Sequence, residues 1–301
     1  MSVLALLWGS GFLWIKLALD GGLSPLHITV IRCASGAGVL LLLARSGGQR
    51  LPRDRRTWSH LVVAAFFCNA LPFFLFGIGE QSVDSGVAGV LNATTPLWSL
   101  AIGVALGTER GIRPVRLVGL LIGFAGTLLI FAPWQRGGLT GWGVSALLAA
   151  AVSYAVAFAY MARHLIGRRT APLALSAAQL LAATGLTTLA LPAGTTTPSA
   201  PTLTAVTAVA VLGVFGTGVT FHLNSRLIAD EGPTTAAAVG YLLPVVSVAL
   251  GAIVLDERVG LRVIAGMALV LVGVGLTYSQ NSRLTRSGAA APRRRSGSSI
   301  G

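Results

Sequence analysis

Two prolines, Pro96 and Pro244, stand 148 residues apart, each inside an apolar stretch of membrane-helix length. Proline supplies no backbone N–H and clashes with the preceding turn, so each breaks the helical ladder locally. Backbone groups freed at membrane depth must face protein, water or a solute, never lipid. One reading makes the pair symmetry-related kinks or hinges at a solute site. The other makes them packing features, since proline is common in membrane helices. Asn92, Thr95 and Trp98 surround the first kink, Tyr241 and Ser247 the second, and between them they offer polar contacts and an aromatic wall.

Lys16 and Arg32 are basic residues inside the apolar spans, and each costs about 2.5–3.5 kcal/mol at mid-membrane on insertion scales. Glu80 ends the third span on the same side, so an ion pair with Lys16 or Arg32 is expected to be within reach. Two readings follow. Lys16, Arg32 and Glu80 form an outer gate or anchor a substrate carboxylate; or Lys16 snorkels outward and Arg32 caps backbone carbonyls. Trp8, Asn69, Tyr154, Gln179 and His222 complete the candidate cavity residues, with Asn224 and Tyr160 as further polar positions in the spans. A polar side chain in a membrane helix usually bonds another helix, for about 0.6 kcal/mol. His222 has a side chain that titrates near neutrality, but its repeat counterpart is Phe74. No aspartate or glutamate lies in the middle of a span, which argues against a carboxylate proton relay.

These residues need helices to hold them, and composition supplies the setting. Of 301 residues, 54% are hydrophobic and 10% charged, against about 25% charged in a soluble domain. Mean hydropathy is +0.78. A spanning helix needs roughly 20 mostly apolar residues. Ten such segments are expected, at 2–19, 24–44, 58–79, 84–106, 113–131, 141–163, 172–192, 203–225, 233–255 and 260–279. The first lacks the basic start and cleavage site of a signal peptide and is read as a retained helix; its shortness leaves an upstream start codon open. The net charge of +13 comes from arginines in short loops between apolar runs, which is a topology signal and not a nucleic-acid face. With the amino terminus inside, inner loops and tail hold 17 of the 22 basic residues and outer loops three. The opposite orientation reverses those numbers, so both termini are expected to be cytoplasmic.

Phe67–Arg110 recurs without a gap as Phe215–Arg258, with ten identities that include Pro96/Pro244 and Glu109-Arg110/Glu257-Arg258. Five helices per copy is an odd number, so the copies must enter the membrane in opposite senses. The fold class expected is therefore an all-α integral membrane protein of ten transmembrane helices, built as two inverted five-helix repeats. Such duplication places a transport site between the halves. The expected divisions are 1–131 for the first repeat, 132–140 for a periplasmic linker, 141–279 for the second repeat and 280–301 for a disordered basic tail. Gly119, Gly123 and Gly126, and Gly266, Gly273 and Gly275, line helices five and ten as packing surfaces. A homodimer contact there is left open.

Several classes are excluded or weakened. No Gly-x-x-x-x-Gly-Lys-Ser/Thr loop, His-Glu-x-x-His or Cys-x-x-Cys occurs, so no ATP, metal or other cofactor is expected, and no nucleophile, base or ligand cluster can be assembled into an enzyme site. The expected partners are a small-molecule substrate and the lipid bilayer.

Leu7-Trp8-Gly9-Ser10-Gly11-Phe12 with Lys16, Pro25 with Arg32, and the proline-centred helix ending in Glu109-Arg110 with its second copy occur in an order and spacing that resembles the EamA group of the drug/metabolite transporter superfamily. The resemblance covers residues 1–279. It implies a ten-helix carrier of the bacterial inner membrane, commonly an exporter of amino acids or other small metabolites, with access alternating between the halves. The chain departs from the pattern in its short amino terminus and in its Arg/Ser/Gly-rich tail, Arg283–Gly301. Rival readings are a carrier of sugars, nucleotide sugars, drugs or cations. From other classes come a membrane-embedded enzyme acting on lipid-linked substrates and a structural or sensory membrane protein. Cation carriage would favour an intramembrane carboxylate, and none is evident.

Overall fold

The computed structural model describes residues 2–83, 85–107, 114–132, 141–165, 171–193, 201–246 and 260–289. Every regular element among them is a helix. In chain order these are α1 (Ser2–Gly9), α2 (Gly11–Asp20), α3 (Pro25–Ser46), α4 (Arg55–Ala65), α5 (Leu71–Gly79), α6 (Ser85–Asn92), α7 (Thr95–Ala105), α8 (Pro114–Phe131), α9 (Trp142–His164), α10 (Pro172–Ala190), α11 (Leu203–Gly213), α12 (Thr220–Glu231), α13 (Pro233–Ala237), α14 (242–246) and α15 (Leu261–Ala289). Seven continuous or near-continuous helices among the described residues are long and apolar enough to cross a membrane, and Pro114–Ile130, Pro233–Val246 and Leu261–Thr277 are shorter apolar helices.

Local chemistry sets where helices begin. The Asp54 carboxylate accepts from the Thr57 N–H at 2.7 Å and starts α4. The Thr202 hydroxyl accepts from the Ala205 N–H at 3.2 Å and starts α11. Each cap satisfies an N–H left over at a helix start, a contribution of about 0.5–2 kcal/mol. Asp54 and Thr202 are 148 residues apart, the same offset as the two prolines. Between α4 and α5 the chain takes a wider π-turn at Phe66–Ala70, and between α11 and α12 another at Val214–Val219. The offset recurs here too.

Several expected boundaries move. The first span is interrupted at Ser10, between α1 and α2, where the Ser10 hydroxyl donates back to the Leu7 carbonyl at 3.0 Å. The third span starts at Arg55 rather than 58, because Asp54 caps it. The eighth continues to Glu231 rather than 225, until Gly232 at φ +84° ends it. The tenth runs on to Ala289 instead of stopping at 279, so the described part of the expected disordered tail is helical. The ninth is described only to 246, and its expected remainder, with Ser247, Glu257 and Arg258, lies outside the described residues, as do Glu109 and Arg110.

Packing pairs helices that correspond by the repeat: α3 lies along α10, and α8 along α15. The second pair approaches through glycines. A Cβ on Gly126 would come 2.7 Å from the Gly266 carbonyl, and one on Gly273 would strike the Gly123 amide nitrogen. Gly275 has nothing within 4 Å and takes no part in this contact. Phe73 and Phe221, identical in the two copies, meet edge-on with centroids 6.1 Å apart. Trp142 is exposed, while the Trp58 indole N–H donates to the Pro52 carbonyl at 2.8 Å.

One buried polar pair ties α10 to the first π-turn. Gln179 Nε2 donates to Asn69 Oδ1 at 2.9 Å, and both side chains are buried. Replacing one partner orphans the other, whereas replacing both with apolar groups removes the penalty. Gln179→Leu is expected to lower stability by about 1–3 kcal/mol, and the Asn69→Leu/Gln179→Leu pair to recover much of that loss. Thermal melts of the detergent-solubilised protein read both.

Candidate functional site

A half-open cavity of about 670 Å³, including its mouth, lies among α2, α3, α5, α9, the break between α6 and α7, and the turn before α14. Its walls are mainly apolar and aromatic. Tyr154 of α9 sits between Phe76 and Phe158, with centroids 6.2 and 6.1 Å away. Trp8 and Ile15 close the side made by the first span.

The polar edge of the cavity lies at the two proline-disrupted helices. The α6–α7 span breaks at Ala93–Thr94, immediately ahead of Pro96. Ahead of Pro244 the chain tightens into a 3-10 turn, Ala238–Tyr241. Each proline nitrogen has no hydrogen to offer the carbonyl four residues earlier, which belongs to Asn92 in one copy and Gly240 in the other. Asn92 and Gly240 both line the cavity, as do the residues just before the prolines, Thr95 and Leu243. Thr95 Oγ1 donates to Asn92 Oδ1 at 3.5 Å.

The charge comes from Arg32. The side chain is only 6% exposed, and its guanidinium carbon lies 3.6 Å from the centroid of the Phe73 ring. Its Nε donates to Thr217 Oγ1 at 3.0 Å, and that hydroxyl in turn donates to the Leu212 carbonyl at 3.0 Å. Thr217 belongs to the second π-turn, and its acceptor lies five residues back, the spacing of the wider turn. Arg32 is thus held on two sides, by a ring against its face and a hydroxyl at Nε.

The structure therefore brings together Trp8, Arg32, Asn92, Thr95 and Tyr154 around one cavity. The other sequence candidates lie elsewhere. Asn69 and Gln179 bond each other behind the wall. Tyr241 is fully buried with its ring against Gly123. Trp98 is 41% exposed and its indole donates to Thr94 Oγ1 at 3.2 Å. His222 is half-buried and outside the lining. Pro96 and Pro244 are buried next to lining residues. The expected ion pair of Glu80 is not formed with either cation among the described residues. Lys16 is exposed and pairs with Asp20 at 3.5 Å, and Arg32 donates to Thr217. Glu80 is buried, and its charge acts on Arg32 through space. Exposed pairs of the Lys16–Asp20 kind contribute about 0–1 kcal/mol. Lys16→Ala is accordingly expected to keep at least half of wild-type transport and its melting temperature, measured side by side with Arg32→Gln.

Sequence reasoning missed Phe73, Phe76, Phe158 and Thr217. Phe73 carried a signal, as one of the ten repeat identities. Thr217 carried one as well, because it is the repeat counterpart of Asn69. Both π-turns thus place a polar side chain at the same position, and each bonds a residue of the helix pair α3–α10: Thr217 takes Arg32, Asn69 takes Gln179.

A multi-helix membrane protein whose paired broken helices border a small half-open cavity is of the transporter class. The chain belongs to the EamA-like transporter family, which it matches over residues 1–132 and 141–279. It is 28% identical over 253 residues to the uncharacterized inner membrane transporter YedA of Escherichia coli K12, covering 82% of this chain and 79% of that one. It is 26% identical to the uncharacterized transporter YvbV of Bacillus subtilis, over 93% of this chain and 91% of that one. A solved crystal structure superposes with a TM-score of 0.76 at 22% identity, covering 94% of this chain and 96% of the other; that likeness concerns the fold.

Proposed function

We propose that the protein is a secondary transporter that exports amino acids or related small metabolites across a bacterial inner membrane. Access alternates between two inverted five-helix repeats, residues 1–131 and 141–279, joined by a periplasmic linker at 132–140, with both termini cytoplasmic. The observation that carries this reading is the cavity edge: Asn92 and Gly240, each four residues before a matched proline, border the same space. Further support comes from three features at one offset, the caps Asp54 and Thr202, the two π-turns and the two prolines. Repeat-related helices packed as pairs, α3 on α10 and α8 on α15, are in keeping with a pseudo-two-fold axis between the halves. The cation in the cavity wall disfavours carriage of cationic drugs, because a like charge at close range in a low-dielectric site is repulsive.

The test compares small metabolites inside and outside cells expressing the protein with an empty-vector control, by untargeted mass spectrometry. Selective accumulation outside, lost in a Pro96→Ala or Pro244→Ala protein present at normal level, is the expected result. An unchanged profile in cells with confirmed membrane expression would overturn export of endogenous metabolites.

A further inference from the structure

The unusual group in this cavity is a buried cation with part of its bonding capacity unused. Arg32 has five N–H donors in a planar fork and stays protonated in proteins. One donor, at Nε, goes to Thr217, and the Phe73 ring covers one face. The terminal nitrogens bond no described residue, and Arg32 lines the cavity. What remains is the in-plane edge that takes a carboxylate through two parallel hydrogen bonds. No aspartate or glutamate is among the cavity residues.

We infer that the cavity binds a small organic anion, a monocarboxylate with an apolar body, whose carboxylate sits on the free edge of Arg32 and whose body lies against Tyr154, Phe76 and Phe158. The inference rests on the reading of this cavity as the transport site and, of the amino acids and related metabolites proposed above, favours related acids that lack an ammonium group. Charge balance is the physical reason. A buried cation at membrane depth is costly, and Glu80 acts on Arg32 only through space; an anion on the free edge neutralises it by direct contact, while a bound amine would add to it. A zwitterion is served less well: its carboxylate finds Arg32, but its ammonium meets only neutral acceptors, at Asn92 and Thr95. Aromatic side chains around the remaining volume favour a ring or branched chain over a polyol.

Trp8 lies in the cavity wall and provides a fluorescence report alongside thermal shift. The full-length protein in detergent would be titrated with 3-phenylpropionate, its methyl ester, L-phenylalanine and phenethylamine. The expected order is 3-phenylpropionate tightest, L-phenylalanine at least tenfold weaker, and the ester and amine without measurable binding. Arg32→Gln should weaken 3-phenylpropionate at least tenfold, and Arg32→Lys, which keeps the charge and loses the fork, should fall between. Equal binding of the ester or amine, tighter binding of L-phenylalanine, or undiminished binding by a folded Arg32→Gln protein would each overturn the inference. Counterflow in proteoliposomes separates the two ideas. Carboxylate binding without any flux removes the transport reading and leaves the anion site, while flux of uncharged or cationic solutes without carboxylate binding does the reverse.

Discussion

A Gly273→Val protein is expected to fail to assemble, or to melt at least 10 °C below wild type in detergent, about 3 kcal/mol or more for a chain of this size. The reason is that nothing soft surrounds position 273. A Cβ there would strike the Gly123 amide nitrogen and come 2.5 Å from the Gly119 carbonyl and 2.7 Å from Gly123 Cα. These are backbone atoms of α8, so the clash is relieved only by parting the two helices. Parting them also removes the contact of Gly126 with Gly266 and disturbs Tyr241, whose ring rests on Gly123. Membrane helices gain no hydrophobic drive from meeting each other, so close van der Waals packing is the main force at stake. Gly275→Val, two residues along the same helix with open space around it, is the matched control and should melt like wild type. Equal melting of both variants would refute the described α8–α15 packing.

The second large effect is expected at Thr217. Thr217→Val keeps the shape and removes the hydroxyl, so Arg32 Nε loses its buried acceptor and the Leu212 carbonyl loses a donor. A hydrogen bond to a charged group contributes about 1.5–3 kcal/mol, and the melting temperature should fall accordingly. Transport should fall as well, because the guanidinium edge is no longer held in place. The decisive experiment is a double-mutant cycle with Arg32→Met. If the two side chains act as a unit, Thr217→Val should cost at least about 1 kcal/mol less in the Arg32→Met background than alone. Additive effects would mean that the hydroxyl supports only its own helix.

How much of this was legible in advance depends on which force decides each feature. Apolar length and the repeated segment made the helical membrane fold readable. The prolines were readable too, since a missing N–H acts wherever the residue lies. Lys16 and Arg32 looked alike as basic residues in apolar runs, yet one is on the surface and one in the cavity. The distinguishing mark was local: Asp20 stands four residues after Lys16, the spacing of a pair on one helix face, and Arg32 has no such neighbour. Asn69 and Gln179 were visible as polar residues needing partners, but their pairing depends on how α10 meets the first π-turn. Tyr241 was expected at the substrate and is packed on Gly123 instead, because the face of a residue near a proline break is set by the break. The aromatic wall was passed over because phenylalanine in an apolar helix carries no mark of its own.

The two π-turns have a consequence for reading relatives of this chain. An i→i+5 turn holds one residue more than an α-turn, and each residue advances an α-helix by about 100°. The segments before and after Phe66–Ala70, and before and after Val214–Val219, therefore follow different angular phases. A helical wheel drawn straight through Arg55–Gly79 or Leu203–Glu231 assigns half of each helix to the wrong face. Losing a single residue from either turn would leave the span long enough for the bilayer but swing Asn69 or Thr217 away from its partner. Sequence gaps of one residue in these two short stretches should accordingly be matched by changes at Gln179 or Arg32.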